Sequence, residues 1–271
     1  MKHGEKVRVF FIATVLLIAL VFSYRMSTGD EDIQKKISIG QRFHYETFLP
    51  AQGIGEYRPT KPLQYKKYSE ARMIPLPRPH YQGVSLESAI EKRRSVRDYS
   101  TAAITVNQVS QLLFAGQGIT GEIYDQPLRS APSAGALYPI EIYLVVNNVE
   151  RLSQGIYHYN VQAHALELLR EGDCSSEITT AALRQDALGK ANIVLVLSAI
   201  FDRTCHKYGD RGFRYVYLEA GHISQNVFLQ AVSLGLGSVS VGAFSDDKVN
   251  QLFGLDGRKE SAVYLMAVGA I

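Results

Sequence analysis

Four cations and a hydroxyl fall within six residues, Lys92-Arg93-Arg94-Ser95-Val96-Arg97. A guanidinium binds phosphate through two parallel N–H donors and a serine hydroxyl adds another, so three arginines around Ser95 form a side-chain anion fork. The same arginines would also suit the C-terminal end of a helix, complementing its dipole and facing water. A second feature is the stretch 130–141, Ser-Ala-Pro-Ser-Ala-Gly-Ala-Leu-Tyr-Pro-Ile-Glu, a rigid small-residue loop that runs into an apolar strand. Backbone amides and the Ser133 hydroxyl there can reach the edge of a planar heterocycle, while Ala134 and Gly135 keep the approach open. A third is Gly235-Leu236-Gly237-Ser238-Val239-Ser240-Val241-Gly242-Ala243-Phe244, a helix stop and strand whose end leaves room for a ring face. Neither a G-x-G-x-x-G turn after a strand nor a Walker loop is present. A phosphate held by side chains instead points to FMN, or to a nucleotide bound in extended form.

Composition sets the frame for these features. The chain has 271 residues, 46% hydrophobic and 20% charged, as an ordinary globular protein does, with room for one large domain and appendages. A net charge of +3, with no basic, aromatic-interleaved face, gives no footprint for nucleic acid. Cys174 and Cys205 form neither a CxxC pair nor a histidine cluster, so no metal site is expected, although the count allows one disulfide. Sixteen tyrosines and no tryptophan supply rings that pack and also hydrogen-bond.

Three segments are expected. Residues 1–26 carry Lys2, Lys6 and Arg8 before a continuous apolar run at 9–22, interrupted only by Thr14. That run is short for a hydrocarbon core of about 30 Å, so it reads as a short membrane anchor or a signal segment, with the uncleaved anchor preferred. Cations before it and Asp30, Glu31 and Asp32 after it favour an orientation with the remaining chain outside the cytoplasm, the opposite orientation being the alternative. Residues 27–82 are rich in proline and tyrosine and read as an extension that lies on the main domain through its tyrosines, with a mobile linker fitting nearly as well. From residue 83 onward the pattern is compact: a helix at 85–94, a capping box Thr105-Val106-Asn107-Gln108 opening a second helix, strands at 140–146, 155–159, 165–169, 191–199, 238–241 and 262–268, and a long helix at 213–234. Helices and strands do not alternate regularly, which gives an α+β class with a central sheet covered by helices.

The motifs occur in a familiar order. Arg93-Arg94-Ser95-Val96-Arg97, Pro132-Ser133-Ala134-Gly135-Ala136-Leu137-Tyr138-Pro139, Leu218-Glu219-Ala220-Gly221-His222-Ile223-Ser224-Gln225-Asn226, Gly235-Leu236-Gly237 and Val241-Gly242-Ala243-Phe244 resemble nitroreductase-like flavoenzymes, most closely the SagB/ThcOx-type dehydrogenase branch. The resemblance covers residues 84–271. It implies an FMN-dependent oxidoreductase with a mainly antiparallel central sheet, paired as a homodimer with FMN at the subunit interface and NAD(P)H as a donor. It places Arg93, Arg94, Ser95 and Arg97 on the phosphate, ribityl chain or polar ring edge. Pro132, Ser133, Ala134, Gly135 and Leu137 would lie along the isoalloxazine, and Val241, Gly242 and Ala243 beneath it. Azoline-forming members of that branch imply a base and acid at Lys207 and Tyr208, acting on a modified peptide or a small molecule. Glu219 and His222 share a helix face without a third ligand, so they read as core or interface residues. Relatives commonly continue past the last strand with a basic residue that returns to the phosphate, whereas the sequence here stops at Ile271. The alternative reading is a flavin- or peptide-binding accessory protein at the membrane that has lost catalysis.

Overall fold

The computed structural model describes residues 38–48, 57–80 and 83–271. The chain divides into two compact units, residues 1–51 and 52–271. In the first, helix α1 (Ile39–Glu46) is opened by a capping box: Ser38 Oγ accepts from Gln41 N and the Gln41 side chain accepts from Ser38 N. The apolar run at 9–22 lies outside the described residues. Among the described residues, no helix is long and apolar enough to cross a membrane.

The second unit is built on a seven-stranded sheet in the order β1 (Arg72–Pro75), β6 (Ala165–Glu171), β5 (Gly155–Asn160), β4 (Ile140–Val146), β7 (Ile193–Ile200), β9 (Glu260–Ala270), β8 (Leu236–Val241). All six neighbouring pairs are antiparallel. The continuous apolar runs of β4 and β7 reflect burial on both faces. Ile140, Ile142, Leu144 and Val146 of β4, with Ile193, Leu195, Leu197 and Ala199 of β7, enter one core. The alternate residues Tyr143, Val145, Val194 and Val196 enter the other. Helices α3 (Val106–Gln117) and α7 (Arg211–Ser233) cover the first face through Val109, Leu112, Leu113, Val216, Ala220, Ile223 and Val227. Helices α4 (Ser175–Ala181), α5 (Asp186–Lys190) and α8 (Asp246–Phe253) cover the second through Ile178, Leu188, Val249 and Phe253. The α+β architecture expected from the sequence, a mainly antiparallel central sheet covered by helices, is therefore present.

Several local expectations hold and others are corrected. The capping box at Thr105 forms with both of its hydrogen bonds. The described part of the extension, residues 57–80, lies on this unit: β1 adds to β6 as an edge strand, where Pro75 is tolerated, and Tyr68 Oη is 3.0 Å from Tyr143 Oη. The disulfide that the cysteine count allowed does not form, because Cys174 and Cys205 are free thiols buried on opposite faces of the sheet. Helix α2 (Leu86–Lys92) stops earlier than the sequence pattern indicates, and Arg93 leaves it at φ −56°, ψ 121°. Not read from the sequence were the hairpin of β2 (Ile119–Ile123) and β3 (Gln126–Arg129), helices α4 and α5, and helix α6 (Asp202–Tyr208).

Candidate active site

The cationic segment runs beside the edge of the sheet instead of closing a helix. Val96 N donates to Ser238 O at 2.9 Å and Ser95 bridges Ser238 in parallel, so residues 95–96 extend along β8. Arg93 stacks over Phe228 with its Cζ 5.3 Å from the ring centroid. Arg94 turns back to the carbonyls of Glu91 and Arg93, at 2.9 and 2.7 Å. Arg97 and Ser95 are exposed. Among the described residues no carboxylate pairs with these three arginines. At the other end of β8, Val241 is buried while Gly242 and Ala243 emerge to the surface. A methyl on Gly242 would meet nothing nearer than Tyr264 at 3.9 Å, so this backbone is open to a ligand. Ala243 O is held by Gln185 Nε2 at 2.7 Å.

The 132–137 loop is a single 3₁₀ turn, Ala134–Ala136, made compact by left-handed backbone at Gly135 (φ 63°), Ala136 (φ 52°) and Tyr138 (φ 48°). Ser133 Oγ accepts from Tyr138 N at 2.8 Å and so locks the loop. Pro132 and Gly135 are exposed, and Ala134 and Leu137 are half-buried. At Gly135 the candidate acid–base pair arrives: a methyl there would lie 2.9 Å from both Lys207 Nζ and Tyr208 Oη, and 3.6 Å from Leu137 Cδ1. Lys207 Nζ also lies 5.3 Å from the Tyr208 ring centroid. Lys207 and Tyr208 close α6, immediately before Gly209 turns the chain into α7.

Beneath the loop lies buried polar machinery that sequence reasoning missed or left unassigned. Tyr138 Oη accepts from Arg129 N at 3.0 Å, the Arg129 guanidinium lies 4.5 Å from the Tyr138 ring centroid, and Arg129 Nη1 reaches Gln117 Oε1 at 2.7 Å. Glu219 of α7 faces this group and is 2% exposed, with its Oε1 unpartnered. Burial pushes its carboxyl up to about 7, against smaller lowering effects of Ser133, Arg129 and Gln117. His222, three residues on, is exposed, so it and Glu219 serve different surroundings. On the sheet side Glu141 binds Arg203 Nη1 at 2.5 Å and His158 Nε2 at 2.9 Å, and His158 Nδ1 reaches Glu167 at 2.8 Å. Burial alone would raise Glu141, but the Arg203 guanidinium and His158 outweigh it and bring the carboxyl down to about 2. His158 rises in turn, since its two carboxylate partners outweigh the cost of burying it charged. The signal for this chain was visible as polar residues set within apolar strands, Glu141 in β4 and His158 in β5. Beside it, Leu63, Tyr65, Lys66, Ile200, Arg203 and Glu260 line a cavity of about 630 Å³.

The structure thus brings Lys207, Tyr208, Gly135 and Leu137 together at one end of α7 and the 93–97 cations at the other. Glu219, below the loop, and Phe228, under Arg93, are nine residues apart on α7, which is about 13 Å of helix. One chain therefore presents a cluster of cations beside an open strand end and, apart from it, a rigid loop that carries an amine and a phenol.

The Nitroreductase family model matches residues 90–270, and the chain belongs to that family. A Methanocaldococcus jannaschii protein named as a nitroreductase, MJ1384, is 42% identical over 191 residues, covering 70% of this chain and 93% of that protein. The Escherichia coli microcin B17-processing protein McbC is 32% identical over 150 residues, covering 53% of this chain and 54% of McbC. A crystal structure of an Anabaena variabilis protein named as a nitroreductase superimposes with a TM-score of 0.69 at 28% identity, covering 84% of this chain and 46% of that one. The chain thus spans about half the length of the latter two.

Proposed function

We propose that this nitroreductase-family oxidoreductase is FMN-dependent and of SagB/ThcOx type, and that it oxidises an azoline-like ring in a modified peptide or handles a comparable small molecule. The residues present fit FMN: three arginines that no carboxylate pairs with among the described residues, an open backbone at Gly242, and a turn that leaves Gly135 exposed. Bound FMN supplies hydride transfer at its N5 atom, with NAD(P)H as the candidate partner in the opposite direction. Arg93, Arg94, Ser95 and Arg97 would hold the phosphate, ribityl chain and polar ring edge. Val241, Gly242 and Ala243 would pass along the ring, and Pro132 to Gly135 with Leu137 would form the facing wall.

The observation that carries the reading is the convergence of Lys207 Nζ and Tyr208 Oη on Gly135. In this reading the lysine amine takes the proton lost from the substrate ring and the phenol holds the substrate heteroatom. The likeness to a microcin-processing protein favours a peptide substrate. A homodimer would set the loop of one subunit against the cation cluster of the other. Val84, Leu86 and Ile90 by α2, with Tyr217 and Leu218 on α7, expose apolar surface suited to such a contact. Tethering through residues 9–22, with the domain outside the cytoplasm, completes the proposal and rests on sequence alone. The test is turnover of an azoline-containing peptide and of a nitroaromatic by the Lys207→Ala protein. It should retain FMN and lose peptide oxidation, and full peptide oxidation by that variant would remove Lys207 from the mechanism.

A further inference from the structure

Helix α6 has only seven residues and no side-chain cap at its N-terminus, and a helix that short has little stability of its own. Thr204 and Cys205 pack it into the fold, and a third buried side chain ties it to its neighbours. Arg203, a single turn before Lys207, is 2% exposed. Its Nε donates to Leu63 O at 2.7 Å, and its Nη1 donates to Tyr138 O at 3.1 Å and to Glu141 Oε1 at 2.5 Å. The three acceptors belong to three separate parts of the fold: the extension, the 132–138 loop and strand β4. The planar guanidinium can satisfy them together because its donors are fixed in a fork, which an ammonium cannot imitate. Glu141 is held in turn by His158, and His158 by Glu167, whose carboxylate also accepts from Tyr68 N of the extension at 3.3 Å. From outside, the extension grips the same helix twice, through Tyr57 Oη to Asp202 Oδ1 at 2.9 Å and Arg58 Nη1 to Lys207 O at 3.2 Å.

We propose that Arg203 is a positioning residue, which couples the extension and the loop to α6 and thereby sets where the Lys207 amine and Tyr208 phenol stand relative to Gly135. The inference rests on the reading that those two groups act on substrate. Extension segment 57–68 is then part of the active-site support, and removal of its grip acts on chemistry at a distance.

The experiment uses the full chain carrying Arg203→Lys, which keeps a charge beside Glu141 and loses the fork. Two quantities are read: steady-state kinetics, and the rate at which Lys207 is acetylated by trace acetic anhydride, with exposed Lys190 and Lys248 as internal references. The expected result is kcat lower by roughly ten- to a hundredfold, KM within about twofold and unchanged FMN content, with several-fold altered labelling at Lys207 alone. Wild-type kcat and wild-type Lys207 labelling in a folded variant would overturn the proposal. If Arg203→Lys does not fold, the exposed Arg58→Ala decides: a several-fold fall in kcat with altered Lys207 labelling supports the coupling, and no change in either overturns it. Altered labelling with unchanged kcat would support the positioning role and remove Lys207 from the mechanism, so the two readings fail separately.

Discussion

Glu219 offers the most quantitative test of how the site is built. It is a buried carboxyl whose protonation midpoint is pushed up to about 7 from an ordinary 4.5, chiefly by burial beneath the platform loop. A raised midpoint means that the folded protein holds this proton more tightly than the unfolded chain does. The stabilising effect is complete below pH 4.5, declines as pH rises, and is lost once pH passes 7. Integrated over both midpoints, the loss between pH 5 and pH 8 is about 2.5 kcal/mol. Glu219→Gln keeps the shape and removes the titration. Urea unfolding of wild type and variant at both pH values isolates the effect, because every other titrating group contributes equally to both proteins. The variant should gain on wild type by about 2.5 kcal/mol from pH 5 to pH 8, roughly a 1 M change in relative urea midpoint. A difference that stays constant across that range would refute the reasoning, since Glu219 would then be ionised in the folded state as readily as in the unfolded one.

Two further variants probe the proposed site. Gly135→Ala places a side chain at φ 63° and a methyl 2.9 Å from both Lys207 Nζ and Tyr208 Oη. Chemical denaturation should show a loss of about 1–2 kcal/mol, and turnover should fall by roughly tenfold as the amine and phenol are displaced. Wild-type turnover would mean the pair does not work at Gly135. In the cation cluster, Arg93→Ala with Arg97→Ala removes two charge-assisted donors, so FMN affinity by fluorescence titration should weaken by roughly a hundredfold or more. Unchanged affinity would place the phosphate elsewhere.

What the sequence revealed depended on whether the signal was local. The capping box at Thr105 and the apolar run at 140–146 each specify their element within a few residues, and both elements form as expected. The α2 boundary is not local: Arg93 leaves the helix because Val96 finds a backbone partner in Ser238, more than a hundred residues away. The 119–129 hairpin was hidden because its turn residues, Tyr124 and Asp125, adopt left-handed backbone without the glycine that normally announces it. Helix α6 was hidden because Asp202-Arg203-Thr204-Cys205-His206-Lys207-Tyr208 has no apolar stripe, and its buried residues are an arginine and two small side chains, Thr204 and Cys205. For the site, the motif residues were legible one by one. The gathering of Lys207 and Tyr208 at Gly135, and the Arg203–Glu141–His158 chain behind them, required the packed fold.

FMN is the proposed cofactor of this chain, and the visible spectrum of the purified protein, recorded before and after anaerobic NAD(P)H, decides it. The expected result is a yellow protein, or one that becomes yellow with FMN, whose colour bleaches on reduction and returns in air. A yellow protein bleached by neither NAD(P)H nor dithionite would instead favour an accessory role without catalysis. A colourless protein that takes up no FMN would contradict the account outright.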